Sequence, residues 1–253
     1  MKRKILSIFL ALLIAATLPV NILASGEGLA ALAKLLDASP EKLLKSSALI
    51  PGDSLSDWVA VLAGRSGKTG SAEAYLSRLW DYVSQQYEEA GGLDSIQATP
   101  WHRTALTVMA LGADPTCFGR NPQGQPIDLI ADGTYAWDTT SSLGTQGLNS
   151  WIFALITLDA GGYSVPEDAA YTREEILAAI LEAQEPDGGF GLTAGASDVD
   201  ITAMALQALA PYPDRCGREI DQALGNLSNA QTIRGDFANF GETSAESCAQ
   251  VMI

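Results

Sequence analysis

The chain has 253 residues, 47% hydrophobic and 18% charged, which is enough apolar material for one sizeable core and excludes a disordered tail. Thirty acidic residues against fifteen basic ones give a formal charge of −15, and three of the basic residues, Lys2, Arg3 and Lys4, open the chain. Without them twelve basic residues face thirty acidic ones, a balance that repels phosphate backbones and anionic headgroups and argues against nucleic-acid and peripheral-membrane roles.

In chain order, Lys2-Arg3-Lys4 precedes an uncharged apolar run, Ile5 to Val20, broken by Pro19 and Asn21 and followed by the small Ala24. That order predicts a signal peptide over residues 1–24, with cleavage after Ala24 or Ser25. The run of about 16 residues falls short of the roughly 20 that a bilayer span needs. The expectation is a secreted or cell-surface protein with no membrane span after cleavage. Residues 25–70 read as N-terminal helices and a linker, with Ser39-Pro40-Glu41 placing an N-cap residue before a proline at the first helical position.

From residue 71 onward the reading is all-α. Ser71 opens a helix with an apolar stripe through Tyr75, Leu76, Leu79, Trp80 and Val83, ended by Gly91-Gly92. Thr99-Pro100 starts the next, through Leu106, Met109 and Ala110, with Gly112 as its stop. Trp151 to Leu158 is apolar nearly all round and belongs inside. Thr172-x-x-Glu175 is a capping box before Ile176, Leu177, Ile180 and Leu181. Ile201 to Leu209 is again almost wholly apolar, ended by Pro211, and Thr243-x-x-Glu246 reads as a further capping box. Cys117, Cys216 and Cys248 form no C-x-x-C pair and read as small buried residues rather than a disulfide framework.

Internal repetition organises these helices. Gln184-Glu185-Pro186-Asp187-Gly188-Gly189-Phe190 is echoed 47 residues later by Gln231-Thr232-Ile233-Arg234-Gly235-Asp236-Phe237. In each, Gly188 or Gly235 follows the glutamine by four, and Phe190 or Phe237 by six. The next helices align as Asp200-Ile201-Thr202-Ala203 with Glu246-Ser247-Cys248-Ala249; upstream, His102-Arg103-Thr104-Ala105 and Asn149-Ser150-Trp151-Ile152 hold the same place. The steps from His102 to Asn149, Asp200 and Glu246 are 47, 51 and 46. Asp132-Gly133-Thr134-Tyr135 reads as the turn before the Asn149 helix. Each unit pairs an amphipathic outer helix with an apolar inner one, and such pairs must stack to bury themselves.

These residues resemble the α/α-toroid superfamily of terpene cyclases, protein prenyltransferase β subunits, complement thioester domains and cobalamin carriers. The resemblance runs from about Ser71 to the end and is most specific in Gln184–Phe190 and in Ser197 to Leu206. It is nearest to the prenyltransferase/squalene-oxidase repeat proteins exported by Gram-positive bacteria. It implies an α/α toroid of stacked pairs about 47–50 residues long over residues 71–253, and here an incomplete, open ring. Residues Ser247 to Ile253 end inside an apolar helix, which predicts a parent protein with further C-terminal domains.

The resemblance also sets out the chemistry to be tested. Proton-initiated cyclases use D-x-D-D-T-A; this chain has Asp198-Val199-Asp200-Ile201-Thr202-Ala203, keeping the donor position at Asp200 but replacing its last acidic partner with Ile201. Zinc-dependent prenyltransferases use D-G-C-Y and a His before a Thr; here the cysteine position holds Thr134 or Gly189 and the histidine position holds Ile201, so no metal site is expected. The thioester segment G-C-G-E-Q is missing. What remains is a non-catalytic module that binds a small ligand or cell-surface partner at the N-terminal mouth of the inner helices, through Trp101, His102, Asn149, Trp151, Asp200 and Glu246. No cofactor is expected, although a cobalamin-like ligand follows by analogy with the carriers. The alternatives are a cyclase-like enzyme with Asp198 and Asp200 as its catalytic pair, or helix-capping duty for these polar residues. Amino-terminal sequencing of the exported protein should begin at Ser25 or Gly26; a start at Met1 overturns the signal-peptide reading.

Overall fold

The computed structural model describes residues 44–67, 72–138, 141–239 and 242–252; the expected signal peptide, the Ser39-Pro40 helix start and Ser71 lie outside them. The described chain is all-helical apart from a two-residue antiparallel pair, Ala238–Asn239 with Glu242–Thr243. It divides into two compact units, one running to Ser95 and from Pro100 to Gly133, the other comprising Ile96–Thr99 and the chain from Thr134.

In the first unit α1 is Ser54–Arg65, α2 is Ala72–Ala90, α3 is Thr99–Ala110 and α4 is Leu129–Gly133. Asp53 caps α1, its carboxylate accepting from Ser56 N–H at 3.0 Å. Of the predicted α2 stripe, Tyr75, Leu79 and Val83 are fully buried while Leu76 and Trp80 are half-buried, and Gly91, at φ 77°, follows the last residue. Gly112 likewise leaves α3 at φ 85°. An ion pair missing from the periodicity holds these helices together. Asp57 is fully buried on α1 and accepts from Arg103 Nε of α3 at 3.0 Å, Tyr75 Oη of α2 at 2.7 Å and Gly52 N–H at 3.1 Å. Arg103 also donates to the Gly52 carbonyl at 2.8 Å. Burial pushes the Asp57 carboxyl up, while the Arg103 charge and the donors from Tyr75, Arg103 and Gly52 pull it down.

The second unit contains α5 (Leu148–Ala160), α6 (Arg173–Glu182), α7 (Val199–Leu209), α8 (Pro213–Ala230) and α9 (Ala245–Met252). Helix α7 packs against both α5 and α9, giving an inner row of three; α6 packs behind α5 and α8 behind α7. The inner helices are the apolar ones, with Ile152, Ala154, Leu155 and Leu158 of α5 and Ala205 and Leu209 of α7 fully buried. The Thr172/Glu175 capping box forms in both directions. At the other end of the hairpins Asp159 accepts from Arg173 and from Tyr212 Oη, tying the end of α5 to the starts of α6 and α8. Helix α8 breaks its regular geometry at buried Cys216 (φ −135°, ψ 27°).

The two predicted turns share one backbone pattern. Glu185 N–H donates to Gly189 O at 2.9 Å and Gly188 N–H to Glu185 O at 2.8 Å; Thr232 N–H donates to Asp236 O at 2.8 Å and Gly235 N–H to Thr232 O at 2.9 Å. Gln184 and Gln231 each donate from Nε2 to the carbonyl of the turn glycine, and Gln184 also reaches Glu219 O on α8. A third copy, Arg120 to Pro126, closes through Asn121 N–H to Gln125 O (3.0 Å) and Gly124 N–H to Asn121 O (2.8 Å). It escapes the sequence comparison because arginine and proline replace the glutamine and phenylalanine, and it precedes α4 rather than an inner helix.

Three sequence expectations need correction. Asp132 and Gly133 end helix α4 instead of forming a turn, because Asp128 caps that helix by accepting from Ile130 and Ala131 N–H. Helix α9 begins one residue later than the predicted box: Thr243 pairs with Ala238, and Ser244 Oγ accepts from Ser247 N–H at 3.0 Å. Cys117 is exposed, Cys248 partly so, and only Cys216 is buried; all three are free thiols. Among the described residues no helix is long and apolar enough to cross a membrane.

The matched turns permit a paired test. Gly188 and Gly235 have φ 83° and 84°, but a Cβ on Gly188 would stand 2.7 Å from Gln222 O, whereas one on Gly235 meets nothing closer than 3.8 Å. Gly235→Ala should cost about 1 kcal/mol from backbone strain alone, and Gly188→Ala about 2–4 kcal/mol with the clash added. Equal losses in urea unfolding would contradict this account.

Candidate functional site

The starts of the inner helices are built by their turns. Phe190, fully buried, donates its N–H to Thr202 Oγ1 at 2.9 Å, and its carbonyl accepts from the Thr202 hydroxyl at 3.1 Å and from Asp198 N–H at 2.8 Å. Phe237 repeats the scheme, with its N–H on Cys248 Sγ at 3.2 Å and its carbonyl on Ser244 N–H at 3.0 Å. Thr202 and Cys248 thus occupy equivalent places, in agreement with the sequence alignment of the two repeats.

Capping at these starts falls to residues other than the predicted site. Asp198 is the α7 cap, accepting from Asp200 N–H at 2.8 Å and Ile201 N–H at 3.0 Å, where the helix dipole favours its charge. Asp200 is half-buried in the first turn. Helix α5 has Gly147 at its cap position, with no side-chain bond, and Leu148 N–H is satisfied by Leu192 O at 3.0 Å. Asn149, the second residue of α5, leaves Oδ1 buried without a hydrogen-bond partner. Asn149 and Asp200 therefore hold the same repeat position on two packed helices, and neither is the cap of its helix. Glu246 holds that position on α9; its side chain lies outside the described residues. Trp151 is half-buried and stands edge-on to Tyr171, ring centroids 5.4 Å apart at 73°.

A groove of ≈340 Å³ opens at the start of α7, lined by Asp187, Ser197, Asp198 and Val199 with Asn226, Asn229 and Ala230 of α8. Asp187 accepts from Ser197 Oγ at 2.6 Å and Gly189 N–H at 3.0 Å, bonds that hold its carboxyl below the usual range. Gly189 is boxed in, since a Cβ there would lie 2.5 Å from Ser197 Oγ, so the position has no room for the thiol that the zinc enzymes place in this turn. Among the described residues no group of three or more His, Cys, Asp or Glu side chains is gathered to hold a metal.

Trp101 and His102 belong to the first unit and are core residues there, 4% and 1% exposed. Trp101 Nε1 donates to Tyr87 Oη at 2.8 Å, and that hydroxyl donates to Asp132 Oδ2 at 2.5 Å. His102 Nε2 donates to Gly133 O at 2.6 Å, which leaves Nδ1 as a buried acceptor without a partner. Burial lowers the His102 pKa to about 4, against the smaller opposing effect of the Gly133 bond. Sequence reasoning missed the Tyr87–Asp132 pair and the Asp57–Arg103 pair. The available signal was a charged residue interrupting an otherwise apolar helix, as Asp57 does beside Trp58, Val59 and Ala60.

No family model matches the chain, and no curated protein matches it.

His102 ties stability to pH. Between its ordinary value of 6.5 and about 4 the unfolded chain takes up a proton that the folded chain refuses. Stability from this group is therefore full above pH 6.5 and falls as pH drops towards 4, by about 3 kcal/mol. His102→Gln should flatten the difference in urea midpoint between pH 7 and pH 4.5; an unchanged difference assigns the acid sensitivity to other groups.

Proposed function

We propose that the chain is an exported α/α-toroid repeat module without catalytic activity, which binds a small ligand or a cell-surface partner at the N-terminal end of its inner helices. The observation that carries this reading is Asn149: a buried carboxamide oxygen with no partner, at the repeat position that Asp200 holds on the neighbouring helix. A buried acceptor left unpaired costs roughly 1–3 kcal/mol, and a ligand donor recovers that cost. The inner row α5–α7–α9 with α6 and α8 behind it, and the groove at the start of α7, support the same assignment. The proposed site lies in the second unit, with Asn149 and Asp200 as its polar residues, Glu246 at the same repeat position by sequence and Trp151 as the adjoining aromatic. Trp101 and His102 leave that set, being spent in the core of the first unit.

The cyclase reading is weakened by the same local geometry. Asp198 is committed as a cap, and Ile201, where a cyclase keeps an acidic partner, is buried at 9% exposure. A carboxyl at Asp200 without that partner is a poor proton donor to an alkene.

A thermal-shift screen across corrinoids, glycans and short peptides should reveal a ligand. One present at a hundred times its Kd stabilises by about 2.7 kcal/mol, and Asn149→Ala should reduce the shift at least tenfold in apparent affinity while leaving the unliganded Tm close to the parent's. A ligand whose shift ignores both Asn149→Ala and Asp200→Asn removes this site. Turnover of squalene or a shorter polyprenoid, abolished by Asp200→Asn, replaces binding with catalysis.

A further inference from the structure

Helix α2 carries a second apolar surface beside its buried stripe. Leu76 and Trp80, with Leu111 and Phe118 from the chain after α3, line a groove of ≈480 Å³ that has Glu73 and Ser77 among its lining residues. At 100° per residue Glu73, Leu76, Ser77 and Trp80 share one face of α2, within an arc of about 100°. Glu73 and Ser77 are exposed, while Leu76 and Trp80 are half-buried. Trp80 stands edge-on to Phe118, ring centroids 5.3 Å apart at 74°.

Two opposite charges mark the ends of this face. The exposed Arg120 carries its guanidinium 5.9 Å from the centre of the Trp80 ring. Glu73 stands two helical turns earlier, roughly 10 Å along the axis from Trp80. Among the described residues neither Glu73 nor Arg120 belongs to an ion pair. A second α2 running antiparallel, about a two-fold axis between Leu76 and Ser77, matches them. Glu73 with Trp80 and Leu76 with Ser77 are centred on the same point of the helix, so each Glu73 arrives at the Trp80 ring and Arg120 of the other copy. Leu76 then meets the small Ser77, which lets the two helices approach closely.

We propose that the groove is where two copies of this chain pair, α2 antiparallel on α2, with Glu73 of each copy on Arg120 of the other. The apolar centre, Leu76, Trp80 and Phe118 from both copies, supplies the attraction. The two ion pairs at its rim fix direction and register, since a parallel alignment sets Glu73 on Glu73 and Arg120 on Arg120. The charge of −15 on each copy opposes approach. At about 0.15 M salt that repulsion is screened beyond about 8 Å, whereas the close contacts at the rim are kept.

The test is sedimentation equilibrium of the full chain, with thiols kept reduced because Cys117 is exposed. Interfaces at the small end of the specific range are weak, so the series runs to about 1 mM protein. A monomer–dimer equilibrium is expected. Glu73→Arg and Arg120→Glu, both at exposed positions, should each weaken it about tenfold, because either change places two like-charge contacts in one dimer. The double variant restores both pairs and should return to within about threefold of the parent. Should a reversal lower the folded fraction, Glu73→Gln or Arg120→Gln takes its place, with weakening of about threefold expected. A chain that stays monomeric throughout leaves the groove to another occupant and overturns the proposal. So does a dimer indifferent to both single changes, or one that the double reversal fails to restore.

Discussion

Phe190 places both of its backbone hydrogen-bonding groups on the first turn of the helix that follows it. Its N–H meets the Thr202 hydroxyl, while its carbonyl takes that same hydroxyl's proton and the Asp198 N–H. Its ring is fully buried. A buried backbone amide without a partner is costly, so this arrangement permits one register of turn against helix. Everything at the start of α7 follows from it: Asp198 arrives at the cap, Ile201 faces the interior, and Asp200 remains in the first turn without capping duty. The repeat of the scheme at Phe237 and Cys248 shows that the geometry tolerates a thiol in place of a hydroxyl, since either can accept from the amide.

The first unit is ordered by a different device, the buried Asp57–Arg103 pair. Three helices and the Gly52 loop converge on one carboxylate. Removing one partner of such a pair costs more than the pair contributes, because the remaining charge stays buried. The repeat position that carries Asn149 and Asp200 in the second unit carries His102 in the first, and there it is consumed: the imidazole is bound to Gly133 O and enclosed. One repeat position therefore serves packing in one unit and stays free of capping in the other.

Much of the architecture was legible in the residues. Glycines at 91 and 112 stop α2 and α3 because each adopts positive φ, and the Thr172/Glu175 box forms because its spacing matches the first helical turn. Local rules failed where two of them competed. At Thr243 a capping pattern lost to strand pairing with Ala238, and at Asp132-Gly133 a turn pattern lost to the cap that Asp128 supplies one turn earlier. The Arg120–Pro126 turn was invisible because its backbone geometry needs only Gly124 at positive φ, while the comparison relied on side chains that this copy lacks.

The sequence by itself determined helices α2, α3, α5, α6 and α7, the 47-residue recurrence and the equivalence of Thr202 with Cys248, since each depends on residue types at short or fixed spacing. Tertiary structure alone decided which polar residues are used up. Asp198 and Asp200 are two residues apart and chemically identical, yet one caps a helix and the other does not. Trp101 and Trp151 both lie beside the recurring polar position, one residue before His102 and two after Asn149, yet one is enclosed and the other half-open. Burial and hydrogen-bond occupancy depend on what packs from distant parts of the chain, and spacing carries no record of that.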